Sequence, residues 1–184
     1  MYMRRNHGDR YAYSEAVLFG PSQHNQPIES LWGRFRIQCE QFWIEEFGEL
    51  KETGDWRYGV LVDKWCLLYV FFPFIKEDID CFRSEYNSHR IRYQRNAVRP
   101  SGVPEDMYNF PGNYGGVDKS FNADGVDIRN VTRLYNLSGS LPDYIPPPMR
   151  LIANRWVRSQ GIVINRRNAK DVYLRLRRYV NNNI

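Results

Sequence analysis

Apolar residues recur along two long stretches of the chain at the spacing of a helix. Over residues 28–50, Ile28, Leu31, Trp32, Phe35, Cys39, Phe42, Trp43, Phe47 and Leu50 fall on one stripe, while Glu29, Arg34 and Arg36 fall off it. Over residues 60–87, Leu61, Trp65, Leu68, Tyr69, Phe72, Ile75, Ile79, Phe82 and Tyr86 form a second stripe. Pro73 lies inside it and predicts a kink or a split, because proline removes a backbone donor and crowds the preceding turn. The turn-forming residues 53–59 separate the two helices. A short connection predicts an antiparallel hairpin in which each aromatic stripe is buried on the other. Upstream, residues 11–19 (YAYSEAVLF) have the composition and partial alternation of a strand, ended by Gly20 and Pro21. Ser22 or Asn25 is placed to cap the first long helix, with Pro27 in its first turn.

Beyond residue 110 the pattern changes. Residues 111–148 are rich in Gly, Asn, Asp, Ser and Pro and end in three consecutive prolines, which predicts a flexible or polyproline linker. Residues 151–163 are ambiguous between strand and helix. Residues 168–180 carry a helical stripe of Val172, Leu176 and Val180 with Arg175, Arg177 and Arg178 around it. The expected organisation is therefore a first domain over residues 1–110, a linker over 111–149 and a basic C-terminal segment over 150–184.

With 184 residues, 42% of them apolar and 15% aromatic, the chain can bury an ordinary core, which argues against disorder throughout. Cys39, Cys66 and Cys81 lie in helical, apolar stretches without a CxxC pair, so all three are expected as buried thiols in a reducing compartment. The first residues carry charges where a signal peptide needs an apolar run. The longest apolar stretch, residues 66–75, falls short of the roughly 18 residues a membrane span needs. The expectation is a soluble, intracellular protein without a membrane partner.

Charge is distributed unevenly. The net charge is +5, yet the residues from Arg150 onward hold nine basic side chains against the single acid Asp171, a local +8 that leaves −3 for the rest. Such a tail predicts weak, sequence-independent binding to a polyanion, with affinity that falls steeply with salt. The alternative is a solvated helix face. Residues 87–99 (NSHRIRYQRNAVR) gather His89, Arg90, Arg92, Arg95 and Arg99 around Tyr93, a combination suited to phosphate contact and base stacking. A helix C-terminus stabilised by cations and followed by an ordered loop would look the same.

The segment HNQPIESLWGRFR, residues 24–36, sets Glu29 among polar and basic residues on the first turns of a helix. That placement is already favourable against the helix dipole, by roughly 0.3–1 kcal/mol. Three stretches, MYMRRNHG (residues 1–8), GPSQHNQPIESLW (20–32) and EYNSHRIRYQRNAVRPSGVPEDMY (85–108), together resemble the integrase-core, DDE-type domains of transposons and retroelements in animal and fungal genomes. The resemblance covers the first three-fifths of the chain. It implies a ribonuclease-H-like fold and metal-assisted phosphoryl transfer, in which three carboxylates hold two Mg²⁺ or Mn²⁺ ions that activate a water or a DNA 3′-hydroxyl.

Glu29 matches the third of those carboxylates and is the one catalytic and metal-ligand candidate. The family's first two are aspartates on strands upstream of the position of Met1, and neither is found in this sequence. Asp9 or Glu15 could rebuild a site in principle, but their spacing favours neither. A metal site is thus expected to be incomplete in this chain alone. The fold class expected is α+β, mostly α: a truncated ribonuclease-H-like integrase core of one strand and a long helical hairpin, with a basic C-terminal extension. The leading functional expectation is a catalytically incomplete integrase or transposase core of nuclear location, without a bound metal. Its nucleic-acid contacts are expected through Asn25, Gln26, Arg34, Arg36, His89, Arg90, Arg92, Arg95, Arg166, Arg167, Arg175 and Arg178, and self-association through the unpaired strand is open to it. The alternatives are part of an active DNA strand-transfer enzyme with its aspartates upstream, or a host-adopted helical module that binds nucleic acid or protein.

Overall fold

The computed structural model describes residues 26–93, 95, 100–118, 124–135 and 144–183. The expected strand at residues 11–19 lies outside them. The chain divides into two compact units, one of Met1–Leu31 with Arg90–Pro142 and one of Trp32–His89 with Asp143–Ile184.

The second unit holds the core. The first predicted helix is a rod of three pieces: α1 (Gln26–Phe35), a π turn over Arg36–Glu40, and α2 (Gln41–Glu52). The π turn is closed by a bond from the Gln41 amide to the Arg36 carbonyl, five residues back. Each such bond inserts an extra residue and rotates everything after it relative to the helix before. This phase slip divides the expected stripe. Cys39, Trp43 and Leu50 are buried, whereas Trp32 and Phe42 are more than half exposed. The rod ends at Thr53, whose hydroxyl donates to the carbonyls of Glu49 and Leu50, and Gly54 follows at φ 75°, a left-handed value that glycine adopts without a Cβ penalty.

Helix α3 (Leu61–Ser88) returns antiparallel to the rod. Phe35 meets Phe82 at 5.1 Å between ring centres, Phe47 meets Phe71 at 5.4 Å, and the Trp43 indole N–H donates to Asp78 at 2.9 Å. The hairpin is therefore formed as predicted. Two details differ. The helix is not split at Pro73, which is exposed, while Val70, Phe71 and Phe74 on either side are held by packing. In addition, its deepest positions are Asp63, Cys66, Leu67, Val70 and Phe71, not the predicted stripe, from which Leu61 and Ile79 are exposed. α3 is covered by other elements as well as by the rod, so its deepest positions include Phe71, which meets Phe47 of the rod, together with Asp63, which meets Arg177 beyond it.

Those other elements are α6 (Pro147–Ser159) and α7 (Ala169–Asn183), which pack on α3 and on each other. The ambiguous stretch is helical as far as Ser159, after which a turn with Gly161 at φ 63° leads into non-helical backbone. Met149, Ala153 and Trp156 of α6 join the common core. So do Val172, Leu176 and Val180 of α7, the stripe its period predicted, together with Tyr173. The basic C-terminal segment is thus half of the hairpin's core.

In the other unit, an isolated antiparallel bridge joins Ile91 and Gly102, with bonds of 2.8 and 3.1 Å, and no strand is formed among the described residues. Gly102 is required there, because a Cβ would collide with the Tyr114 ring. Helix α4 (Pro104–Asn109) and a 3-10 turn (Pro111–Tyr114) follow. Part of the expected linker is helical too: α5 (Gly125–Leu134) is capped by Asp124, whose carboxylate accepts from the Val126 amide at 2.6 Å.

One buried acid joins the core's parts. Asp63, with no exposed surface, accepts from the Arg57 amide at 3.0 Å, from Arg57 Nε at 2.9 Å and Nη2 at 3.1 Å, and from Arg177 Nε at 2.9 Å. Burial alone would raise its pKa, but these bonds outweigh burial and hold it at about 2. Arg177 also reaches the Gly54 carbonyl, and the Tyr173 hydroxyl donates to the Asp55 carbonyl at 2.8 Å, so α3, α7 and the connecting turn meet at this carboxylate.

Removing one partner of such a buried pair leaves a charge uncompensated. Asp63→Ala is expected to cost about 3–5 kcal/mol in urea unfolding, against less than about 1 kcal/mol for an exposed acid such as Glu85→Ala. The depressed pKa sets the direction with pH. The stabilisation is complete above the ordinary aspartate value near pH 4 and disappears as pH falls through about 2. A wild-type stability that falls no faster over that interval than that of Asp63→Asn would contradict this. Cysteine chemistry gives a second check, because Cys39 and Cys66 are buried but Cys81, contrary to expectation, is exposed on α3. Burial also pushes the Cys66 thiol up to about 12. In native protein, alkylation should label Cys81 rapidly and the other two only on unfolding, as peptide mass spectrometry would report.

Candidate nucleic-acid interface

Glu29 sits in the first turn of α1 and is exposed. Among the described residues, no group of three or more His, Cys, Asp or Glu side chains is placed to hold a metal ion. The described residues therefore do not supply the donor set of a two-metal site; Asp9 and Glu15 lie outside them. Gln26 opens α1, and Asn25 is also outside the described residues.

The basic candidates divide into two kinds. Arg34 and Arg36 on the rod, and Arg90, Arg92 and Arg95 after α3, are exposed and form no ion pair among the described residues. His89 differs from them. Its Nδ1 lies 2.6 Å from the Tyr86 carbonyl and its ring 5.2 Å from the Tyr86 ring, so it closes the C-terminus of α3. That end extends an aromatic series from Trp32 through Phe35, Phe82 and Tyr86.

In the C-terminal segment, much of the positive charge is already met. Arg166 contacts Asp78 at 2.7 Å, Glu77 at 2.8 Å and the Phe74 carbonyl at 3.3 Å, and its guanidinium lies 6.0 Å from the Trp43 ring centre. These bonds raise the Arg166 pKa. They also draw the Asp78 carboxyl below its ordinary value, chiefly through the hydrogen bond with Arg166. Lys170 pairs with Glu49 at 2.8 Å, and that bond raises its pKa. Arg175 reaches Asp171 at 3.5 Å and Gln160 at 3.0 Å while lying over Trp156. Arg167 and Arg178 are exposed and form no ion pair among the described residues. Of the anticipated tail contacts, two remain open and two are occupied.

Sequence reasoning missed Arg57, Asp63 and the pairing of Arg177. The available signal was an aspartate in the first turn of a helix whose residues 65–75 are all uncharged and mostly apolar.

Residues 1–108 match the family described as integrase core domain. The chain belongs to this family. No curated protein and no solved structure matches it. The span shared with the integrase core carries Glu29, Arg34, Arg36 and residues 89–95 and ends within α4. Helices α6 and α7, which complete the core under the hairpin, lie beyond it. The integrase-core segment of this chain is thus packed by residues outside the match.

Because Arg166 is partly exposed, its pairing is screened by salt. Arg166→Ala should lower stability by about 1 kcal/mol at low ionic strength, and by less in 1 M NaCl. Equal losses in both conditions, measured by urea unfolding, would mean that packing on Trp43 and Phe74 outweighs the ion pairs.

Proposed function

We propose that this integrase-core chain contacts nucleic acid without, by itself, cutting or joining strands, and that its ancestry is ribonuclease-H-like. The observation that carries the proposal is the state of Glu29. It is the one residue matching the family's carboxylates, it is exposed, and no convergent acids accompany it among the described residues. A two-metal mechanism needs ions clamped on both the attacking and the leaving oxygen, and a single carboxylate does not fix that geometry. Mg²⁺ or Mn²⁺ therefore enters no step of this reading.

Support for nucleic-acid contact comes from cations without acid partners among the described residues, including Arg34, Arg36, Arg90, Arg92 and Arg95. A phosphate can meet these side chains without displacing an internal carboxylate, and the release of counterions then drives binding independently of sequence.

Incubated with supercoiled plasmid and Mg²⁺ or Mn²⁺, the purified protein should leave the plasmid intact; nicking that disappears in Glu29→Ala would refute the reading. Fluorescence anisotropy should show micromolar or weaker binding to unrelated oligonucleotides. Neutralising Arg90, Arg92 and Arg95 to Gln should flatten the salt dependence by up to about three phosphate contacts. Binding that is indifferent to salt would exclude a phosphate-driven interface.

A further inference from the structure

Where α6, beyond the residues that match the family, packs on α3, which lies within them, hydrogen-bond donors and positive charge gather at one point. The Tyr69 hydroxyl donates to Asn154 Oδ1 at 2.7 Å. Arg150, Asn154 and Arg158 follow one another at intervals of four along α6, so a single row presents guanidinium, amide and guanidinium. Both cations are close enough to act on the tyrosine. Burial raises its pKa, and the charges of Arg150 and Arg158 oppose that rise. Arg158 is exposed and forms no ion pair among the described residues. With the tyrosine bonded to Asn154 Oδ1, the side chain's two amide hydrogens remain as donors. Close by, Phe72, one turn along α3 from Tyr69, meets the half-exposed Tyr144 at 6.0 Å between ring centres. All of these residues belong to one compact unit.

We propose that Asn154 and Arg158, backed by Tyr69 and by the charge of Arg150, form a phosphate-binding point on the α3–α6 surface. The point consists of donors and cations, which is the complement of an oxyanion. On the proposed reading of the chain as a nucleic-acid-contacting protein, on which this part rests, the phosphate belongs to a polynucleotide backbone, and the neighbouring aromatic pair offers a face to an unstacked base. Arg150, Arg155 and Arg158 enter the charge asymmetry of the sequence, yet only the fold brings Arg158 beside Asn154 and Tyr69.

The test uses the full chain and two variants that preserve the local structure. Arg158→Gln changes an exposed helix position, and Asn154→Asp keeps an acceptor for the tyrosine while placing negative charge where the phosphate would lie. Each should weaken binding to a labelled single-stranded oligonucleotide by about threefold to tenfold, and Arg158→Gln should reduce the salt slope by about one. Inorganic phosphate alone should shift the Arg158 Nε–H resonance in ¹⁵N NMR. If the wild type binds the oligonucleotide and both variants bind it equally well with unchanged slope, this site is overturned while the nucleic-acid reading stands. If no oligonucleotide binds but phosphate still shifts Arg158, the phosphate point stands and its assignment to a polynucleotide fails. If neither occurs, both are overturned.

Discussion

A carboxylate with no exposure to solvent, at the start of the longest helix, is what the core is assembled around. Asp63 is costly to bury, and the cost is offset only when four donors reach it from two arginines. Arg57 comes from the turn after α2 and Arg177 from α7, over a hundred residues away in sequence. Each element is therefore held in a position that satisfies the others. Apolar packing could accept some rotation or sliding between helices, but a carboxylate bound on both oxygens cannot, because a lost donor leaves a charge exposed to a low dielectric. The Asp63 cluster accordingly fixes how α7 lies on α3, while the shared apolar core supplies most of the driving force.

The same logic applies to the contrast between a basic tail and a slightly acidic remainder, which by itself points to an external polyanion. The fold brings part of that contrast together inside one unit. Arg166 meets Asp78 and Glu77, Lys170 meets Glu49, and Arg177 meets Asp63 and Asp55. Segment-wise charge counts cannot separate internal complementarity from a binding surface, because both give the same asymmetry. What separates them is whether each cation has an acid within reach, and that depends on contacts across about a hundred residues.

Features with a local cause were legible in the sequence. The hairpin followed from two apolar stripes and a short turn, and the stripe of Val172, Leu176 and Val180 is buried as its period required. The π turn was not legible, since a single inserted residue changes the phase of a stripe without changing its composition. Nor was the burial of α3. A helix covered on several sides has apolar residues in most directions, so the wheel does not single out its deepest face, and Cys81 was placed inside on that ambiguity. Of the candidate site, Arg34, Arg36, Arg90, Arg92 and Arg95 are exposed, whereas the engagement of Arg166 and Arg175 depended on partners that periodicity does not reveal.

Whether a cation can serve a phosphate depends on what it must give up. Arg166 would have to surrender two carboxylates, a backbone carbonyl and its place over Trp43, an exchange of one charge-assisted set of bonds for another with little net gain. An exposed arginine without a carboxylate partner gives up only water and some side-chain freedom. On the proposed nucleic-acid reading, binding falls to the cations that have no acid partner among the described residues, and α6 carries one of them, Arg158, four residues from an amide bonded by Tyr69. Orientation of that kind lowers the entropic cost of meeting an oxyanion, which is the physical reason to look for contact on α6 as well as on the span matched to the integrase core.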